Sequence, residues 1–389
     1  YVFAYTQTGT SYVLERKTGR IVQIDDVPAA TGQMKAPAVL KNSIVYATAD
    51  AIQIYDMHGN LARTVPLGYT LTSGVAGDKD MLFVAEAYPD GGRLAALDLN
   101  LLGGTTYDPS IHTINAIPKR WEYLVPGAGI VSTPVLLNDA VYVAAENGTI
   151  AALATSDREP LWPTDNGVFQ CYGSVLADLV VDEYGVYAAS YGGMLYCLNP
   201  NNGKVRWQYF APSPLTTDPS ATKDLVFEFV PGAGVVAIDK TAASTVDRTK
   251  RPTYDRTPRW TAGDCTQFLA EDNKYVYLLR KDHHICACDK DTGKEVFVSK
   301  RSDFIAAASN NNYGALVGSP ADSSVYATLS NGTILSINAV TLPGIIGQVV
   351  LNDASDRGDR GTGADRIALA SVPLAPRSAG VIYPETPHE

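Results

Sequence analysis

The chain has 389 residues, of which 46% are hydrophobic, and it carries a formal net charge of −10 with a pI near 5.0. This acidic balance argues against nucleic acid as a partner, because the phosphate backbone attracts basic proteins. No apolar run is long enough to span a bilayer, so no transmembrane segment is expected.

The N-terminal residues already read as a strand, since residues 1–4 are Tyr-Val-Phe-Ala. A chain that starts inside a strand is expected to begin at a processed or trimmed end. Any signal peptide or lipid-bearing cysteine would then lie upstream of Tyr1.

A β-hairpin pattern recurs along the chain. Its clearest copy has apolar strands at residues 141–145 and 150–153, joined by Glu-Asn-Gly-Thr. Further copies cover residues 186–199 and 325–338, with Gly-Gly and Asn-Gly in their turns. Such turns supply the positive φ angles that a tight hairpin needs. The repetition indicates a repeat architecture.

The hairpin repeats about every 46 residues, which suits a four-stranded propeller blade. Apolar residues alternate with a period of two, which argues against two-helix repeats of similar length. Third strands are predicted at residues 12–15, 52–56, 94–98, 150–154, 195–199, 235–239, 285–289 and 334–338.

Several blades also show a fourth strand with an aromatic residue, whereas blade 1 has Gln23 at that position. Trp162, Trp207 and Phe297 each follow the end of a third strand by eight residues. Trp121 and Trp260 follow theirs by 23 and 21 residues. These two blades therefore carry insertions, which cover residues 99–118 and 240–258. The tryptophans are interpreted as blade-to-blade packing residues.

The predicted fold class is all-β: an eight-bladed β-propeller of four-stranded antiparallel blades. Residues 1–389 form one domain, with blades over residues 1–350 and a flexible connection at 351–365. Residues 366–389 provide a closing strand and tail. Within them, residues 370–375 are expected to pair with the N-terminal strand, because ring closure protects sheet edges.

The string Asp-x-x-Thr-Gly-Lys at residues 289–294, on repeated Val-Tyr-Val hairpins, resembles the quinoprotein (PQQ-type) propeller repeat. The resemblance covers about residues 1–350. It implies one of two branches: quinone-dependent dehydrogenases, or non-enzymatic propellers of the bacterial envelope such as the BamB-like lipoproteins. The enzymes of the first branch carry an adjacent cysteine pair, a calcium held by Glu and Asn, a catalytic Asp and a tryptophan floor.

No two cysteines are adjacent in this chain, and its four tryptophans are assigned to outer strands. The resemblance is therefore closest in type to BamB-like propellers. It implies a non-catalytic scaffold that binds other envelope proteins, in the periplasm or outside the cell, with outer-membrane association and a lipid anchor left open. The alternative is a quinone- or metal-cofactor-binding oxidoreductase that uses the central funnel.

One cluster has metal-ligand residue types: His283, His284, Cys286 and Cys288. Zinc accepts both His and Cys. The repeat register places His284, Cys286 and Cys288 on one face of a strand, with His283 on the other. The alternative is a pair of buried cysteines beneath a turn with exposed histidines. Two cysteines two apart on one strand are too parallel for a disulfide.

Cys171 and Cys265 are interpreted as sharing one register at the start of inner strands. Five cysteines in all do not indicate a disulfide framework. The Asp289-x-Asp291-x-Gly293 pattern could hold calcium, but it also reads as an ordinary β-turn. No cofactor is predicted, and calcium stays open.

The two insertions are the predicted partner-binding surface, because long loops on a rigid scaffold are where recognition usually lies. Both join a third to a fourth strand, so both leave the same face. The alternative is that they only cover blade edges. The proposed anchors are Tyr107, Ile111 and His112 in the first insertion, and Arg248, Arg251 and Tyr254 in the second. A scaffold should expose an apolar patch, whereas a cofactor binder should show converging charged groups on the axis.

Overall fold

The described residues form eight four-stranded antiparallel sheets. The computed structural model describes residues 2–6, 10–15, 21–26, 38–40, 43–47, 51–56, 60–66, 70–78, 81–99, 119–163, 167–241, 255–282, 284–298, 313–319, 324–329, 333–338, 345–350 and 367–369. Every named element in these ranges is a strand.

Sheets 1 to 4 are built from strands of the first half of the chain, together with one C-terminal strand in sheet 1. Sheet 1 has the order β3-β2-β1-β32, and sheets 2, 3 and 4 take their strands in chain order. The strands of sheet 1 are β1 (Val2–Thr6), β2 (Thr10–Leu14), β3 (Ile21–Asp26) and β32 (Ile367–Leu369). Those of sheet 2 are β4 (Ala38–Val39), β5 (Ser43–Ala47), β6 (Ala51–Asp56) and β7 (Leu61–Pro66). Those of sheet 3 are β8 (Leu71–Asp78), β9 (Met81–Tyr88), β10 (Gly91–Asp98) and β11 (Lys119–Pro126). Those of sheet 4 are β12 (Val135–Leu137), β13 (Ala140–Ala144), β14 (Thr149–Ala154) and β15 (Val168–Gln170).

Sheets 5 to 8 repeat the chain-order arrangement. The strands of sheet 5 are β16 (Val180–Val181), β17 (Val186–Ala189), β18 (Met194–Leu198) and β19 (Val205–Phe210). Those of sheet 6 are β20 (Ser220–Ala221), β21 (Leu225–Val230), β22 (Gly234–Asp239) and β23 (Trp260–Ala262). Those of sheet 7 are β24 (Cys265–Glu271), β25 (Tyr275–Arg280), β26 (Ile285–Asp289) and β27 (Glu295–Val298). Those of sheet 8 are β28 (Tyr313–Ser319), β29 (Ser324–Leu329), β30 (Thr333–Asn338) and β31 (Ile345–Val350).

The hairpin turns form for the reason that the sequence indicated. Gly148 has a φ of 84° and Gly193 a φ of 79°, a region that side chains with a Cβ rarely adopt. The Gly148 N–H donates to the Ala145 carbonyl at 2.9 Å, and the Gly193 N–H donates to the Ser190 carbonyl at 3.0 Å. All eight predicted third strands coincide with β2, β6, β10, β14, β18, β22, β26 and β30 to within three residues at either end.

The core lies between neighbouring sheets rather than within one sheet. Separate clusters of buried apolar residues join sheets 2 and 3, 3 and 4, 4 and 5, 5 and 6, and 6 and 7. The first strands β4, β8, β12 and β16 contact one another in turn, as do β24, β28 and β32. These first strands are therefore the innermost ones, and the sheets are arranged side by side around them.

Four tryptophans anchor sheets 3, 4, 5 and 6 each to the sheet that follows it. The indole Nε1–H of Trp162 donates to the Pro200 carbonyl at 2.7 Å, and that of Trp207 to the Lys240 carbonyl at 3.0 Å. Trp121 and Trp260 make the equivalent bonds to the carbonyls of Thr155 and Lys290. In each case the acceptor lies just after a third strand of the following sheet.

The Gly-Lys turn of the repeat requires a glycine because the turn packs directly against these tryptophans. A Cβ on Gly203 would lie 2.6 Å from the Trp162 ring, and one on Gly293 would lie 2.5 Å from the Trp260 ring. The turn of one sheet therefore packs on the indole of the preceding sheet. This contact explains why the glycine and the tryptophan recur together in the sequence.

Trp162 does not lie on a fourth strand, although its spacing predicted that it would. The fourth strand of sheet 4 is β15, which begins at Val168. Near Trp162, only the isolated bridge between Leu153 and Pro160 connects the segment to the third strand. Pro160 and Pro163 flank this stretch, and proline has no N–H to donate to a ladder.

The C-terminal part of the chain completes sheet 1. Ile367–Leu369 pairs antiparallel with Val2–Thr6, with Leu369 opposite Ala4 and Ile367 opposite Thr6. The segment predicted to pair there, residues 370–375, lies outside the described residues, as does the predicted connection at 351–365.

Candidate functional site

The six predicted partner-binding residues lie in parts of the chain that the structure does not describe. They are Tyr107, Ile111, His112, Arg248, Arg251 and Tyr254. Their insertions leave β10 and β22 and return at β11 and β23, at the same end of their sheets. We call this end the insertion face.

The last residues of the second insertion contact the neighbouring sheet. Gln208 on the outer strand of sheet 5 forms a parallel bridge with Asp255. The Arg256 N–H donates to the Gln208 carbonyl at 2.7 Å, and the Gln208 side chain donates to Asp255 at 2.9 Å. This end of the insertion therefore covers a sheet edge, which is the alternative that the sequence left open.

Of the candidate metal ligands in sheet 7, the two cysteines lie where the repeat register predicted. Cys286 and Cys288 are both buried on one face of β26, with their sulfurs 3.8 Å apart. The His284 ring instead lies 3.5 Å from Asp282. His283 is outside the described residues. Across the residues that the structure describes, no group of three or more His, Cys, Asp or Glu side chains forms a metal site.

Cys265 also lies beside these cysteines, and the sequence did not indicate this proximity. Its sulfur lies 3.5 Å from that of Cys286. Its register was wrongly matched to Cys171. The Lys281 N–H donates to the carbonyl of Asp264, just as the Tyr191 N–H donates to that of Ser174, so Cys265 corresponds to Val175. A position in a bulged strand is hard to align from sequence, because the register shifts between Cys265 and Gln267.

An exposed apolar patch lies at the other end of the sheets from the insertions. Its four side chains are exposed by 46% to 73%, and we call this group the aromatic patch: Tyr172, Leu176, Tyr191 and Phe210. Tyr172 and Leu176 belong to the connection that enters sheet 5, Tyr191 to its hairpin turn and Phe210 to the end of its outer strand. We call this end of the sheets the patch face.

The backbone beneath the aromatic patch is firmly held. The Tyr191 N–H donates to the Ser174 carbonyl at 2.7 Å, and the Ser190 hydroxyl donates to the Tyr172 carbonyl at 2.9 Å. A Cβ on Gly192 would lie 2.5 Å from the Tyr172 ring, so the ring packs closely against this glycine. Because the backbone is ordered in advance, binding through these side chains loses little conformational entropy.

Carboxylates link the innermost strands close to this patch. The Thr133 N–H donates to Asp178 at 2.6 Å, and the Asp178 N–H donates to Asp218 at 2.6 Å. Asp178 and Asp218 occupy equivalent positions in sheets 5 and 6. The Asp218 side chain keeps contact with solvent but stands close to the Asp178 carboxylate and to neighbouring protein atoms. Burial and repulsion from Asp178 raise the pKa of Asp218 to about 6.

Glu228 is a buried carboxyl beside these carboxylates. It is 1% exposed and accepts a hydrogen bond from the Thr217 hydroxyl at 2.7 Å. Its other oxygen, Oε2, is buried and makes no hydrogen bond within the described part of the chain. Burial first, and then the charge of Asp218, raise the pKa of Glu228 to about 8. At neutral pH this carboxyl is therefore mainly protonated.

Sequence reasoning did not select the patch or the carboxylates. Asp178 and Asp218 are 40 residues apart, close to the repeat period, so an alignment of inner strands could have found them. The aromatic patch carries no such signal, because the chain has 22 tyrosines and no spacing sets these apart. Among the described residues, no helix has the length and apolar character needed to cross a membrane.

Known proteins resemble this chain in fold, and one resembles part of its sequence. The crystal structure of BamB from Moraxella catarrhalis superposes with a TM-score of 0.61 at 16% identity, covering 86% of this chain and 89% of that one. The computationally designed Ika8 protein superposes with a TM-score of 0.60 at 14% identity, covering 86% and 92%. At these identities the likeness shows the propeller fold alone.

A curated relative that matches part of this chain is an enzyme. The 1-butanol dehydrogenase (cytochrome c) of Thauera butanivorans is 27% identical over 164 residues, which cover 36% of this chain and 24% of the enzyme. This chain therefore matches about a quarter of that relative's length.

A family model gives the broader assignment. The model described as "Outer membrane protein assembly factor BamB" matches residues 105–296 and 172–341, which together make up more than half of the chain. These matches run from the first insertion to sheet 8 and include every tryptophan-anchored junction. The chain is therefore a member of the PQQ-repeat propeller family described as outer membrane protein assembly factor BamB.

Proposed function

We propose that this protein is a non-catalytic, protein-binding scaffold of the bacterial cell envelope whose partner docks on the aromatic patch. The observation that carries the proposal is the exposure of Tyr172, Leu176, Tyr191 and Phe210 together on the loops and strand end of one rigid sheet. Exposed aromatic residues on an ordered backbone are favoured interface anchors.

In this proposal the eight sheets form one closed ring of eight blades. Eight four-stranded sheets, the successive contacts of their innermost strands and the pairing of β32 with β1 support it. A closed ring leaves only short outer edges, which suits a scaffold that must resist edge-to-edge association.

The proposed location is the periplasm or the outside of the cell, in association with the outer membrane. The family description and the fold likeness to the Moraxella protein support it. The partners are other envelope proteins within a larger complex, and the association is peripheral or through a lipid anchor. No cofactor is needed for this function.

The insertion face is the second proposed surface. Tyr107, Ile111 and His112 of the first insertion, with Arg248, Arg251 and Tyr254 of the second, stay candidate anchors there. The two faces can be separated, because the patch and the insertions lie at opposite ends of the sheets.

The experiment compares three variants in co-purification from envelope extracts and in binding measured with the captured partner. The double variant Tyr172→Ala/Tyr191→Ala should weaken binding at least 30-fold, since one aromatic anchor contributes about 2 kcal/mol or more. Val296→Ser, which changes an equally exposed apolar residue on sheet 7, is the matched control.

The third variant trims both insertions. If trimming removes the partner while the tyrosine variant keeps it, binding lies on the insertion face. Unchanged binding in all three variants would contradict both surfaces. Circular dichroism and thermal unfolding confirm that each variant is folded.

A quinone- or metal-cofactor-binding oxidoreductase is the alternative function, supported by the partial match to the dehydrogenase. Asp178 and Asp218, in the connections that enter the innermost strands of sheets 5 and 6, and the buried Glu228 are carboxyl groups that could serve it. Titration calorimetry with pyrroloquinoline quinone and calcium tests this alternative. Tight, saturable binding that Asp218→Asn removes would favour it over the scaffold.

A further inference from the structure

Three cysteines of sheet 7 occupy positions that carry aliphatic or tyrosine side chains in sheets 4 and 5. The cross-strand register matches Cys265, Cys286 and Cys288 to one residue each in sheets 4 and 5. The equivalents are Ile130, Ala151 and Leu153 in sheet 4, and Val175, Tyr196 and Leu198 in sheet 5. In each sheet the three residues pack in one cluster against the preceding sheet.

The three replacements are therefore neighbours in space although 21 residues separate the first two in sequence. The chain has five cysteines, and three of them meet here. Had cysteine served only as a small apolar filler, nothing would favour its use at three positions of which the middle one contacts both others. A common thiol chemistry explains the clustering.

The sulfurs form a row with Cys286 in the middle. Its Sγ lies 3.5 Å from that of Cys265 and 3.8 Å from that of Cys288. All three side chains are at most 3% exposed. A row with one central sulfur gives Cys286 two neighbours with which it could bond.

Backbone geometry distinguishes the two neighbours. Cys286 and Cys288 lie two apart on β26, where parallel Cβ vectors prevent a relaxed disulfide. β25 separates β24 from β26 in the sheet, but Cys265 is the first residue of β24, where the ladder register shifts before Gln267. It is therefore less constrained by the regular strand spacing, and its sulfur already touches that of Cys286.

We propose that Cys265 and Cys286 form a disulfide when this protein folds under oxidising conditions, with Cys288 beside it as a free thiol. The bond would link the entry of the innermost strand of sheet 7 to the third strand of the same sheet. In the cell, the proposal rests on the proposed envelope location for its oxidant, because disulfides persist in oxidising compartments.

The chemistry balances with an external disulfide as the oxidant. The two thiols lose two electrons and two protons and form one S–S bond, while oxidised glutathione is reduced to two glutathione thiols. Hydrogen bonds to Cys265 and Cys288, together with burial, raise the pKa of the Cys286 thiol. The reactive thiolate is therefore scarce in the folded state, and the bond should form before sheets 6 and 7 close over it.

The test uses the full chain and needs no partner, so its outcome is independent of the scaffold proposal. Protein refolded in a buffer of oxidised and reduced glutathione is denatured, alkylated and weighed. Two fewer alkyl groups should be added than to reduced protein, and peptide mapping should join Cys265 to Cys286. The oxidised form should also melt several degrees higher, since the bond closes a loop of about 20 residues.

Cys265→Ala and Cys286→Ala should each restore full alkylation of the remaining cysteines, whereas Cys288→Ala and the distant control Cys171→Ala should keep the bond. Should the first two variants fail to fold, the count and the map of the unmodified chain decide the question. Five alkylated cysteines after oxidative refolding would overturn the proposal, and so would a linked pair other than Cys265 with Cys286.

Discussion

Two successive junctions, between sheets 4 and 5 and between sheets 5 and 6, have the same kind of tryptophan anchor but bury different groups. Trp162 bonds the Pro200 carbonyl in the first, and Trp207 bonds the Lys240 carbonyl in the second. The cluster around Trp162 consists of apolar residues and Cys171, together with two tyrosines.

The second junction adds ionisable groups to the same anchor. Lys240 is paired with Asp182, and its ammonium also donates to the Thr222 carbonyl at 2.7 Å. Glu228 occupies a buried position where Val143 and Ala188 stand in sheets 4 and 5. The tryptophan anchor is therefore common to both junctions, while the groups around it decide whether a junction responds to pH.

The largest expected effect comes from removing the shared anchor. Trp207→Ala and Trp162→Ala should each lower the free energy of unfolding by about 3–5 kcal/mol, because each empties a buried indole site. Trp207→Ala should be at the upper end, since its acceptor Lys240 also holds Asp182. Urea unfolding measures both changes.

Phenylalanine variants separate packing from hydrogen bonding at the two anchors. Trp207→Phe and Trp162→Phe keep a ring but lose the N–H donor, so a smaller loss is expected than for alanine. If alanine at either site cost less than about 1 kcal/mol, the tryptophans could not be the anchors of their junctions.

The second prediction concerns pH and only the junction of sheets 5 and 6. The folded-state pKa of Glu228 is about 8, above its ordinary value of 4.5. The folded state therefore binds the proton more tightly, so this contribution is fully present below pH 4.5 and is lost as pH rises through about 8. Wild-type stability should fall over this window by up to a few kcal/mol.

Glu228→Gln should flatten this dependence and be more stable than the wild type at pH 9, because no charge is then forced into the junction. Melting temperatures measured between pH 5 and pH 9 give the comparison. Glu183→Gln, at an exposed carboxylate of sheet 5, is the matched control. Parallel profiles for wild type and Glu228→Gln would show that Glu228 does not hold the proton.

The smallest expected effect tests the turn that packs on Trp162. Gly203→Ala should lower the free energy of unfolding by about 2 kcal/mol, because a Cβ would meet the indole and φ is 67°. Gly232→Ala is the control, since its φ is 85° but no atom lies within 4 Å of the added Cβ. Equal losses of unfolding free energy at both glycines would show that the contact with Trp162 does not add to the cost of Gly203→Ala.

Much of the fold could be predicted because its signals are local. Alternating apolar residues and turns such as that at Gly148 specify each hairpin, and their spacing gave the third strands of all eight sheets. Trp162 marks the limit of spacing arguments. Its eight-residue interval predicted a fourth strand, but the prolines around it interrupt the ladder, and β15 begins further on.

The candidate sites were less accessible to sequence reasoning. Cys286 and Cys288 could be assigned to one face of a strand, but Cys265 was placed in the wrong register because a bulge shifts β24. Asp178 and Asp218 were not selected, since neither belongs to a local motif. The six proposed anchors of the insertions stay predictions, because they lie outside the described residues.

The hairpins, the repeat period and the membership in a propeller family follow from the order of amino acids, because strand alternation and turn geometry depend on residues close together in the chain. Only the tertiary structure decided which side chains meet between sheets. The aromatic patch around Tyr172, the carboxylates linked to Asp178 and the sulfur row at Cys286 each join residues from different strands. Their contacts depend on sheet register, bulges and the order of packing, which no local pattern encodes.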